Sequence, residues 1–229
     1  MQGSADNGEE VRHIYIDTAL DAYRSFYDKD WAERFSNITE TTKLSEPGLD
    51  LIRDWKGAAF TAAMPWVLIR FLDEPHRRWN YYMRIGTFQT TLWSSQRICY
   101  AAIYHAYENF LTRCVGAALN RPDYRPKKRN RTPTQAVGDG LNTLISGAGE
   151  YCLEDADVNY ARLVRNALAH NGGRPSPEIE RINTKLKIDN GQIHILPYDT
   201  RSLFDLLKQK VFWLAEKAKD HPQFQIATA

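Results

Sequence analysis

The chain has 229 residues, a formal net charge of +2 and 43% hydrophobic residues. This composition excludes a disordered chain, which lacks the apolar surface to form a core. The near-balanced charge excludes nucleic-acid recognition by global charge, so any basic surface is local. The three cysteines, Cys99, Cys114 and Cys152, form no C-x-x-C pair and read as buried thiols of a reducing compartment.

The first ten residues, Met1 to Glu10, are polar and acidic and hold no apolar run of the signal-peptide kind. The longest apolar-looking stretch, Ala58 to Leu72, is interrupted by Thr61, Pro65 and Arg70 and falls short of the ~18 apolar residues of a membrane span. A soluble, cytoplasmic protein with no membrane contact is expected.

A helical period then dominates. Apolar residues in Val11 to Phe35 recur at three-and-four spacing through Ile16, Leu20, Tyr23, Phe26, Tyr27 and Trp31, predicting an amphipathic helix. Asn37 to Glu46 reads as a loop, and Pro47 fits the first turn of a second helix reaching Leu72. Pro65 should kink or split that helix. A third stretch runs from Pro75 to about Leu119, with Gly86 as a weak point. From Leu92 onward its apolar residues spread around most of the helix, as in a central helix contacted on several sides.

Arg121 to Arg131 holds Arg121, Arg125, Lys127, Lys128, Arg129 and Arg131 against one acid, Asp123, and its two prolines prevent regular helix. This basic loop is either a solvated segment or an RNA-backbone contact, with Tyr124 able to stack on a base. Thr132 followed by Pro133 is an N-cap signature for a helix to about Ile145. A further helix covers about Glu154 to His170, with acids at its positive end, and Asn171-Gly172-Gly173 stops it. Asp189-Asn190-Gly191 between alternating segments predicts a hairpin at about 184–196. Asp199 or Thr200 then caps a last helix from Ser202 to about Lys219. The fold class is therefore all-α: a helical bundle with one small β-hairpin near the C-terminus. Residues 1–75 form an N-terminal helical extension, and 76–229 the main helical domain.

Nucleotide-binding glycine loops, H-E-x-x-H and G-x-S-x-G are absent. No cofactor and no metal are expected. The segment that carries chemical information is Arg165-Asn166-Ala167-Leu168-Ala169-His170. At about 100° per residue, Arg162, Asn166 and His170 share one helix face, and the long Arg165 side chain can swing toward it. A cation, an amide and an imidazole suit RNA cleavage without a metal. A histidine can move a proton to or from the reacting oxygens, and a guanidinium can hold the charge that gathers on phosphorus. The same residues also describe ordinary helix capping, with His170 at the negative end of the helix dipole. His105, three residues before Glu108 and near the same face, reads as a hydrogen-bonded structural histidine, with a supporting role behind the site as the alternative. The aromatic stripe Trp79, Tyr81, Tyr82 and Trp93 reads as core or interface packing.

The run from Arg165 to Gly173 resembles the signature of the HEPN superfamily, an arginine followed by a polar residue and then a histidine at a helix end. The helix around Glu108 is similar to that family's central helix, where an acid often faces the signature. The resemblance covers roughly Trp79 to Leu196. It implies a HEPN-like bundle that dimerises through its signature helices. It also implies a metal-independent endoribonuclease leaving a 2′,3′-cyclic phosphate, of the kind found in toxin–antitoxin and anti-phage systems. Arg165, Asn166 and His170 match the catalytic positions; Glu108 is carried over by helix placement, and Arg162 supports the site from the same helix. RNA would contact Arg125, Lys127, Lys128, Arg129 and Arg131. The implied partners are RNA, a second copy of the chain, and an antitoxin or defence-system protein. The alternative is a catalytically inactive HEPN module that binds RNA or a partner protein; a structural subunit of a larger complex is a third reading.

Overall fold

A computed structural model describes residues 20, 21, 23–26, 28–70, 84, 86–126, 131–182 and 186–226. Its main elements are α1 (Lys29–Glu40), α2 (Ser45–Arg70), α3 (Gly86–Ala118), α4 (Pro133–Leu144), α5 (Ala156–His170), α6 (Pro177–Ile182) and α7 (Pro197–Lys219). A two-stranded antiparallel hairpin, β1 (Lys187–Asp189) and β2 (Gln192–His194), precedes α7. The architecture is thus mostly helical with one small hairpin. Among the described residues no helix is long and apolar enough to cross a membrane.

The first amphipathic helix does not run through to Phe35 as one piece. Asp28 interrupts it, and its carboxylate caps α1 by accepting the Trp31 N–H at 3.2 Å. The helix then continues to Glu40, beyond the expected loop start, because Ile38 and Thr39 are buried. Pro65 does not end α2, which stays helical to Arg70. Ala62, Ala63 and Trp66 around it are buried, and the Gln96 side chain of α3 donates to the Ala62 carbonyl at 3.4 Å. Tertiary packing here outweighs the proline's local cost. Gly86 is the first residue of α3, and the stretch expected to be helical from Pro75 to Met83 lies outside the described residues, with Trp79, Tyr81 and Tyr82.

One continuous apolar core joins α1, α2, α3, α5 and α7. Its centre is Trp55 of α2, fully buried, stacked on Trp31 (centroids 5.5 Å apart) and edge-on to Phe204 (4.9 Å). The Trp55 indole N–H donates to the Ile103 carbonyl of α3 at 3.3 Å. The chain's end closes onto its beginning: the Lys43 N–H donates to the Phe224 carbonyl at 2.6 Å, and Thr42 bridges Gln225.

The local signals of the second half are mostly realised. Thr132 caps α4 in a reciprocal capping box with Gln135. The hairpin turns at Asn190 and Gly191, both at positive φ, pairing Ile188 with Ile193. Helix α6 was not foreseen; Ser176 accepts the Ile179 N–H at 3.3 Å and Pro177 opens it. A π-helical turn, Glu150–Glu154, precedes α5, so the helix begins at Ala156 with Asp155 as its cap, slightly later than the expected start at about Glu154.

Helix α7 starts earlier than expected, at Pro197, with Asp199 in its first turn accepting the Leu196 N–H at 2.8 Å. Burial pushes the Asp199 carboxyl up to about 6, against the Leu196 amide, which lowers it. The folded state therefore holds this proton more tightly than the unfolded chain. The contribution is full below about pH 4 and is lost as pH rises through about 6, a swing of roughly 2–3 kcal/mol. Asp199→Asn, which cannot ionise and keeps the acceptor, should gain on wild type by that amount between pH 4 and 7 in urea titrations. A stability difference that stays constant across that range would refute this.

Candidate functional site

Helices α3 and α5 pack through apolar faces, and each also carries a polar stripe. On α3 the stripe is His105, Glu108, Asn109 and Thr112, at helical i, i+3, i+4, i+7 spacing; on α5 it is Asn159, Arg162, Arg165 and Asn166. All of these side chains line one cleft of about 790 Å³. Arg125 lines it from the loop after α3, and Thr132 to Gln135 close one side at the start of α4. The volume lies within the range of ligand sites, roughly 300–1,000 Å³.

Glu108 and Arg165 form an ion pair between the helices, with side chains 21% and 19% exposed. Arg165 also lies 5.4 Å from the centroid of the buried Tyr104 ring. Its Nε–H is buried with no hydrogen-bond partner among the described residues. Burial pushes the Glu108 carboxyl above the usual carboxylate range, more than Arg165, His105 and Arg162 together pull it down. Burial likewise pushes the Tyr104 phenol up, so it stays protonated. Arg162 is held by its own helix: its Nε and Nη2 donate to Asn159 Oδ1 at 3.1 and 2.8 Å. Asn166 is half-buried, and its side chain makes no hydrogen bond to a described residue.

His170 is exposed in the last turn of α5 and does not line the cleft. Past it the chain turns through Gly172 (φ +61°) and Gly173 (φ +85°), and the Asn171 and Gly173 N–H groups both donate to the Ala167 carbonyl, at 3.0 and 2.9 Å. The Arg97 guanidinium of α3 lies against Gly173, in the space that a Cβ would fill. The Ile193 N–H of the hairpin donates to the Gly173 carbonyl at 2.8 Å. At the other end of α5, Asp155 caps the helix through the Asp157 and Val158 amides and accepts from Lys210 of α7 at 3.1 Å.

The structure thus places Glu108, Arg125, Arg162, Arg165 and Asn166 around one cleft, and His170 is not among its lining residues. Lys127, Lys128 and Arg129 lie outside the described residues. Arg131 pairs instead with Asp139 of α4. Tyr124 is partly buried against the core, with the Arg121 guanidinium 5.9 Å from its ring centroid. His105 is a correction: it is exposed in the cleft and makes no hydrogen bond to a described residue, where a bonded structural histidine was expected. The spacing of His105, Glu108, Asn109 and Thr112 in an otherwise apolar helix was the available signal. Among the described residues no group of three His, Cys, Asp or Glu is placed to hold a metal ion.

No known family, curated protein or solved structure matches this chain.

Proposed function

We propose that this chain is a metal-independent endoribonuclease of the HEPN type, acting as a homodimer whose signature helices, α5 from each copy, meet at a composite site. The observation that carries this reading is the Glu108–Arg165 ion pair in the wall of a cleft shared with Asn166. A guanidinium fixed by an acid and a buried ring is preorganised for the charge that develops on a phosphodiester under attack. The Asn166 amide makes no hydrogen bond to a described residue and can orient ribose or phosphate. His170 is exposed one turn further on, where a second copy can meet it. The reaction transfers the 2′-hydroxyl onto phosphorus and expels the 5′-oxygen, which needs one proton removed and one supplied. RNA would reach the cleft past Arg125. An antitoxin or defence-system partner would hold such an activity in check.

The neutralisation of Arg165 by Glu108 favours a second reading, an inactive HEPN module that binds RNA or a protein partner. Incubation of the purified chain with total RNA in EDTA separates the two. Cleavage that persists in EDTA and disappears in both Arg165→Ala and His170→Ala supports the enzyme. Equal cleavage by all three proteins, or a strict monomer by light scattering, removes it.

A further inference from the structure

We propose that His105 is a second proton-transfer residue of the cleft, the base that takes the proton of the attacking 2′-hydroxyl; this rests on the ribonuclease reading above. An attack that starts and ends near neutrality needs two groups that titrate there, and imidazole is the side chain that does. Each copy supplies one His170, which is exposed at the end of α5 and does not line the cleft. Among the described residues His105 is the histidine that lines the cleft, on the same wall as Glu108 and across from Arg165 and Asn166. It is exposed, and its side chain makes no hydrogen bond to a described residue, so it is available to a substrate.

The charges around it are mixed. On the cleft side it faces Glu108 of its own helix and Arg162 and Arg165 of α5, with Arg125 and Glu154 farther along the same cleft. On its other side a smaller groove brings Arg53 and Asp54 of α2 near it, and these two are paired with each other. In the step proposed, the 2′-oxygen forms its bond to phosphorus while its proton passes to His105. The bond from phosphorus to the 5′-oxygen breaks, and that oxygen takes a proton from the His170 that the second copy of the proposed dimer brings to the cleft. The products are a 2′,3′-cyclic phosphate and a 5′-hydroxyl. The two histidines exchange a single proton with solvent to reset, and no other reactant is needed.

The test is the pH dependence of kcat on a fluorogenic single-stranded RNA of mixed sequence, in EDTA, for wild type, His105→Asn and His170→Asn. Both histidines are exposed, and an unchanged melting temperature confirms that each variant is folded. His105→Asn should lower kcat by about 10²-fold or more, and the acid limb of the profile should vanish. His170→Asn should remove the alkaline limb. A wild-type rate in His105→Asn, a rate loss that keeps the acid limb, or a change confined to KM overturns the assignment to His105. If Arg165→Ala and His170→Ala are then inactive, the ribonuclease reading still stands. A wild-type protein that cleaves no RNA overturns both.

Discussion

Arg165→Ala should lower the free energy of unfolding by about 3 kcal/mol, and Glu108→Ala by a comparable amount. Removing one partner strands the other in a wall where both are about four-fifths buried. Their residual contact with water puts the effect at the lower end of what buried pairs show. The double variant, which removes both charges, should cost less than the sum, with a coupling of at least ~1 kcal/mol. Urea denaturation of the four proteins measures it, and a coupling near zero would show that the pair does not hold α3 to α5. Burial already raises the Glu108 carboxyl, and Arg165 is the first of the groups that oppose it. Without Arg165 the orphaned carboxyl is raised further. The folded variant then retains its proton to higher pH than the unfolded chain does. Its deficit should therefore be small at pH 5 and grow toward pH 8. A chain of this length loses roughly 2–4 °C of melting temperature per kcal/mol, so activity of Arg165→Ala should be assayed well below the shifted transition.

A fragment beginning at residue 76 should fail to fold cooperatively, and Trp55→Ala should cost about 4 kcal/mol in the full chain. The main helical domain and the N-terminal helices share one core: Phe35, Leu51, Trp55 and Ala59 pack in the same cluster as Ile103, Tyr107, Phe110 and Phe204. Removing α1 and α2 would expose that face of α3 and α7 to water. It would also leave the Ile103 carbonyl without its indole donor and the Phe224 carbonyl without Lys43. Circular dichroism through a thermal ramp is sufficient: a sharp transition in the fragment would show that the extension is dispensable. Trp55→Phe isolates the hydrogen bond from the volume and should cost less than the alanine variant.

Capping chemistry was the most legible part of the fold. Thr132-Pro133, Asn190-Gly191 and Asn171-Gly172-Gly173 each specify a backbone conformation through a few local atoms, and each is found where its residues stand. Features that depend on distant partners were not legible. Pro65 reads as a break until its neighbours are seen packed on α3, and the π-helical turn before α5 has no local signature. Helix α6 had its Ser-Pro-Glu start in plain view but is too short for periodicity to register. The same division holds for the site. Arg165, Asn166 and His170 stood together in sequence. Pairing Glu108 with Arg165 needed the packing of two helices, and the sequence pointed to Glu108 only through the resemblance. His105 reads as a bonded structural histidine beside Glu108; its exposure in the cleft depends on how α5 and α4 pack across from α3, which the sequence of α3 does not carry.

Helix α5 is fastened at both ends by different parts of the chain. Asp155 ties its start to α7, while Gly173 ties the turn after its end to Arg97 and to the hairpin. These attachments set the rotational position of the helix, and the phase between the Asp155 cap and Arg165 is itself part of the site. Inserting one residue between them would rotate Arg165 by roughly 100°, off Glu108 and out of the cleft, without altering a single functional side chain. Natural variation in this segment should therefore take the form of substitutions, with length held constant from Asp155 to Gly173.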